Sequence, residues 1–66
     1  MRVRLNGESR EIGDGITIAD LVGELGLGQR RIAVEVNRDI VPRDAYPAHS
    51  LNDGDEVEIV QFIGGG

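Results

Sequence analysis

Residues 1–12 read MRVRLNGESREI. Met1, Val3 and Leu5 alternate with Arg2 and Arg4, the period of a strand with one buried face. Asn6-Gly7 follows, and both residues tolerate the positive φ that a two-residue hairpin turn requires. Glu8 to Ile12 is therefore expected to return as a second strand, which GDG at 13–15 ends. Thr17 then begins a helix, with Asp20 three residues on in a near capping box at the positive end of the dipole. Ile18, Leu21, Val22 and Leu25 share one apolar face, and Gly26 is the expected C′ residue. Gly23 lies inside this helix, where glycine costs about 1 kcal/mol against alanine.

Downstream, Arg31 to Asn37 alternates again, with Ile32, Val34 and Val36 on one face. Ile40 and Val41 make a short extended piece ended by Pro42, and RDAYPAHSL (43–51) reads as irregular chain crossing the sheet. NDGD at 52–55 is a turn, and Glu56 to Ile63 is the expected last strand. A hairpin, one main helix and further strands on one sheet make an α+β fold. Residues 1–63 are expected to form one domain, and residues 64–66 a flexible glycine tail.

The 66 residues carry 39% hydrophobic side chains and few aromatics, so the core must come from Val, Ile and Leu. With no cysteine and one histidine, neither a disulfide framework nor a typical zinc site is expected to supplement it. MRVRLNGESR has charges with no apolar run behind them, and no segment reaches the roughly 20 apolar residues of a membrane span. The cytosol is the expected compartment, without membrane attachment. A net charge of −5 argues against nucleic acid as a partner. From Asp44 onward five residues are acidic (Asp44, Asp53, Asp55, Glu56, Glu58) and none is basic. Such a run is either a solvated surface or an acidic rim that steers this end towards a basic partner. All seven basic residues are arginine, which leaves no lysine for Schiff-base chemistry or for attachment of another chain.

Catalytic patterns are weak. His49, Ser50 and Asp53 are neighbours in a loop, a poor start for nucleophile–base–orienter geometry. DGDEVE lacks the spacing of a calcium loop and reads as turn chemistry. GELGLG (23–28) follows a helix instead of opening one, the wrong end for phosphate. The chain is not expected to be an enzyme by itself, and no metal or cofactor is expected to be bound by it.

The remaining reactive group is the α-carboxylate of Gly66. As an anion it is a poor electrophile until an oxygen becomes a leaving group, for instance by joining to AMP on a partner that binds ATP. Glycine suits a tail that threads a narrow channel, because it has no Cβ to meet the walls. Three residues reach at most about 10 Å beyond the strand end. In EVEIVQFI (56–63), Val57 and Ile59 share one face, while Val60 and Phe62 lie on the other. If the helix covers the first face, Val60, Phe62 and Ile63 form an apolar, acid-rimmed docking surface beside the tail. The alternative is that the 43–51 crossover buries that face too. Taken alone, Gly64, Gly65 and Gly66 could equally be a disordered end or a cloning scar.

The element order resembles the β-grasp fold shared by ubiquitin and the small bacterial sulfur carriers. VEVNRDIVPR (34–43) and LNDGDEVEIVQFIGGG (51–66) resemble the ThiS family of thiamin-pathway sulfur carriers, and the likeness runs over essentially the whole chain. Gly65-Gly66 matches the family's diglycine, with Gly64 extra. The resemblance implies that a ThiF-like adenylyltransferase, using ATP and magnesium, adenylates Gly66. A sulfur donor system then makes the thiocarboxylate, and a ThiG-like thiazole synthase consumes it. The free carrier is expected to be monomeric. The small subunit of molybdopterin synthase shares fold and tail, but it often has prolines before the diglycine, where VQFI stands here. A non-covalent β-grasp interaction module and a ubiquitin-type protein modifier are the other readings.

Overall fold

In the computed structural model, residues 1–63 are described. Strand β1 (Arg2–Leu5) turns at Asn6-Gly7 into β2 (Glu8–Glu11), with Leu5 opposite Glu8. Asn6 at φ 50 and Gly7 at φ 84 both take the left-handed conformation that matches the twist of a tight hairpin.

Helix α1 (Ile18–Glu24) is capped as its sequence indicates. The Thr17 hydroxyl accepts from the Asp20 N–H at 3.1 Å, and the Asp20 carboxylate accepts from the Thr17 N–H at 3.0 Å. At the other end the Leu27 N–H bonds to the Val22 carbonyl and the Gly26 N–H to the Gly23 carbonyl, with Gly26 at φ 73. That pair of bonds is a Schellman closure, and it accounts for the glycine there. Gly23 is different: it is exposed, has a negative φ, and a Cβ added to it would meet nothing within 4 Å. Gly23→Ala should therefore stabilise the fold by about 1 kcal/mol, or roughly 4–8 °C in Tm for a domain of this size. Thermal unfolding of the variant checks this, and a lower Tm would mean that the glycine has an unseen packing role.

A second hairpin joins β3 (Ile32–Val36) to β4 (Asp39–Val41) through Asn37 at φ 52 and Arg38 at φ 73. Sequence reading finds the two strands but not this turn, because arginine is no turn former. After β4 the segment expected to be irregular is instead a 3₁₀ helix, Arg43–Ala48. Pro42 sets its extended entry, and Tyr46 anchors it by burial in the core. It packs against α1, and the chain beyond it stays on that side: the Ile18 N–H reaches the His49 carbonyl and the Leu51 N–H the Ile16 carbonyl.

Strand β5 (Glu56–Gln61) then enters the middle of the sheet, in the order β2-β1-β5-β3-β4. It runs parallel to β1, with Leu5 opposite Val57, and antiparallel to β3, with Val34 opposite Ile59. The chain between β1 and β5 supplies the long crossover that a parallel pair requires. This is the β-grasp fold. Val3, Val34 and Val57 from the three central strands meet Ile18 and Leu21 of α1, all essentially inaccessible to solvent. The last strand is two residues shorter than expected, since its pairing with β3 ends at Gln61 opposite Ile32.

Candidate functional site: the exit of the central strand

Alternation along β5 divides its side chains between two environments. Val57 and Ile59 are buried beneath α1, whereas Val60 is 55% exposed. Beyond the strand, Phe62 is 60% and Ile63 91% exposed. Phe62 still donates its N–H to the Arg31 carbonyl at 3.0 Å, so the backbone direction is held one residue past the ladder. The 3₁₀ helix lies with α1 on the buried side and does not cover Val60 and Phe62. Gly64, Gly65 and Gly66, the expected tail and attachment point, lie outside the described residues.

The strand leading to this exit is gripped by two asparagines. The Asn6 side chain donates to the Ile59 carbonyl at 3.2 Å and accepts from the Ile59 N–H at 2.8 Å. It thereby continues the pairing of β1 after that strand has turned away. From the other hairpin, Asn37 accepts the Glu56 N–H at 3.0 Å and donates to the Asp55 carboxylate at 3.0 Å. Each asparagine combines a left-handed turn with a side-chain clamp, which few other side chains can do.

Asp55 is 8% exposed and also accepts the Asn52 N–H at 2.8 Å. Asp53 accepts the Arg2 N–H at 2.8 Å. Two of the five acids expected on a steering rim are thus tied into backbone closure of the 52–55 turn. Folding uses them because a short carboxylate beside a turn satisfies N–H groups that no strand reaches. Glu56 and Glu58 do remain on the open face, where Glu35 of β3 stands opposite Glu58 and Ala33 opposite Val60. Sequence reading missed Glu35 and Ala33, because only the β3–β5 register brings them there.

His49 and Ser50 serve the backbone connection to α1, the former through its carbonyl and the latter in a bridge to Thr17. Among the described residues, no side-chain hydrogen bond joins His49, Ser50 and Asp53. No group of three or more potential metal ligands is found among them either. Among the described residues, no helix is long and apolar enough to cross a membrane.

Truncating Phe62 should cost little stability, since most of the ring already meets water. Phe62→Ala is expected to shift Tm by no more than a few degrees while weakening partner binding about tenfold, the scale of an aromatic anchor. A large fall in Tm with unchanged binding would instead assign the ring to the core.

The profile of the ThiS family matches residues 3–66. Over all 66 residues the chain is 32% identical to the sulfur carrier protein ThiS of Escherichia coli, covering 100% of both chains. It is 48% identical, again over 66 residues, to a thiazole synthase of Paramagnetospirillum magneticum. The chain spans only 20% of the length of that protein and of a similar thiazole synthase from Magnetococcus marinus. The crystal structure of the thiamine biosynthesis protein ThiS from Geobacter metallireducens superposes with a TM-score of 0.85 at 30% identity, over the whole of both chains.

Proposed function

This chain belongs to the ThiS family, and we propose that it is a sulfur carrier of thiamin biosynthesis whose cargo rides on the carboxylate of Gly66. The observation that carries this reading is the full-length match to a protein named as a sulfur carrier, glycine end included. The geometry supports it. Central strand β5 is paired on both edges, and Phe62 and Ile63 beyond it are exposed.

The chemistry follows from the carboxylate. An oxygen of Gly66 attacks the α-phosphorus of ATP on an adenylyltransferase, releasing pyrophosphate and leaving an acyl-adenylate. Sulfide-level sulfur from a donor system then attacks the acyl carbon and expels AMP, leaving a thiocarboxylate. The chain contributes reach, thinness and a docking face, and the partners supply ATP, magnesium and catalysis, so the carrier is a co-substrate and not a catalyst. A segment like this one within proteins named thiazole synthase supports such an enzyme as the acceptor of the sulfur. These steps would run in the cytoplasm, where ATP is available. Val60, Phe62 and Ile63 form the proposed contact surface.

Intact mass of the protein expressed with its pathway enzymes tests the proposal. A species heavier by the difference between sulfur and oxygen, mapped to Gly66, is the expected result. Transfer to purified thiazole synthase then separates the thiamin pathway from molybdopterin synthesis. Only the plain carboxylate, despite an active adenylyltransferase and sulfur donor, would overturn it.

A further inference from the structure

The loop between α1 and β3 meets the sheet where β5 leaves it, since Ile32 at the start of β3 stands opposite Gln61. Gly28, Gln29, Arg30 and Arg31 are all exposed. A turn closes the loop, with the Arg30 N–H bonded to the Leu27 carbonyl at 3.0 Å. Beyond Gln61, the one hydrogen bond among the described residues runs from the Phe62 N–H to the Arg31 carbonyl at 3.0 Å. The course of the chain at Phe62 therefore depends on where an exposed loop places one carbonyl.

That loop is tied from a distance by Arg43. Its Nη1 donates to the Arg30 carbonyl at 2.8 Å and its Nη2 to the Gly28 carbonyl at 2.6 Å. Two bonds from one planar guanidinium fix two peptide planes relative to each other. The Arg30 carbonyl is one residue before the carbonyl that receives Phe62. Arg43 is itself held, because it opens the 3₁₀ helix whose Tyr46 is buried in the core. Its Cζ lies 5.9 Å from the centroid of the Tyr46 ring. A continuous path thus runs from the core through Tyr46, Arg43 and the 28–31 loop to Phe62. Water could satisfy both exposed carbonyls, so Arg43 adds little net stability and acts mainly on the order of the loop.

From this we infer that Arg43 is a positioning residue for the glycine end: by holding the 28–31 loop it fixes the Arg31 carbonyl, and with it the direction in which the chain departs at Phe62. Four residues separate Phe62 from Gly66 and extend at most about 14 Å. A tilt of about 10° at Phe62 would then move the carboxylate by roughly 2 Å, enough to matter for reaction geometry. This inference rests on the sulfur-carrier reading and adds the residue that orients its cargo.

The test uses the full chain and two measurements, amide hydrogen exchange by NMR and Gly66 adenylation by ATP–pyrophosphate exchange with the purified adenylyltransferase. Arg43→Met keeps the stem beside Tyr46 and removes both donors. In it the Phe62 amide is expected to exchange about tenfold faster, and kcat to fall about fivefold with KM for the carrier little changed. Arg43→Lys retains a charged donor and should recover part of both. Thr17→Ala removes the cap of α1, away from this loop, and should lower Tm at least as much as Arg43→Met. It should nevertheless leave Phe62 exchange and kcat at wild-type values, because an amide at the end of a ladder exchanges by local opening. Unchanged Phe62 exchange in Arg43→Met, an effect confined to KM, an unchanged kcat, or a kcat loss that Thr17→Ala matches each overturns the inference while the sulfur-carrier reading stands. A wild-type carrier that the enzyme does not adenylate overturns both.

Discussion

Removing Gly66 is expected to lower adenylation by the cognate adenylyltransferase at least a hundredfold while leaving the fold intact. The truncation deletes no described contact, so Tm should stay within a degree or two of wild type. The chemistry, in contrast, is sensitive to reach. Moving the carboxylate back by one residue withdraws it by about 3.5 Å, and a misplacement of about 1 Å can already cost a hundredfold in rate. Gly66→Ala retains the length and adds only a methyl group. It should impair turnover less than the truncation if length dominates, and equally if the channel admits no Cβ. Pyrophosphate exchange with saturating ATP, read as kcat/KM for each carrier, separates these cases. Undiminished turnover of the truncated chain would overturn the argument from reach, since the carboxylate would then act equally well from Gly65.

The second large effect concerns stability. Asp55→Ala should destabilise the domain by about 3 kcal/mol, because it strands the Asn52 N–H and one Asn37 amide donor beside a buried site. For a domain of this size that corresponds to a fall in Tm on the order of 15 °C. Asp55→Asn keeps the volume and one acceptor, but it turns an amide towards a donor and should recover only part of the loss. Urea titrations give both values, and the milder variant remains measurable should the alanine protein not fold. A loss below about 0.5 kcal/mol for Asp55→Ala would mean that water replaces the carboxylate without penalty.

Asp55 also illustrates what a sequence conceals. In NDGDEVE it is one acid among several, and nearest neighbours suggest only a turn and a charged surface. Its burial follows from Asn37, 18 residues earlier, whose side chain comes within reach once β3 and β5 pair. Glu58 was visible as an acid on the outer face of the last strand, but Glu35 became its counterpart only through the same register. The 3₁₀ helix was equally hidden. Proline, aspartate and a lone tyrosine look irregular in RDAYPA until α1 offers the surface on which Tyr46 is buried.

Local interactions, by comparison, were readable because they close within a few residues. Asn6-Gly7 sets its own backbone angles, and Thr17 and Asp20 satisfy each other across one turn of helix. Val57 and Ile59 declare a buried face simply by alternating, which also left Val60 and Phe62 for the open side. The sequence by itself thus determined the first hairpin, the capped helix and the apolar faces of the strands. Only the tertiary structure decided that the last strand lies in the middle of the sheet, that two asparagines from separate hairpins clamp it, and which acids remain free beside its exit. Those outcomes depend on groups up to 53 residues apart. Their contact energies come from burial and hydrogen bonding that exist only after the chain has closed on itself.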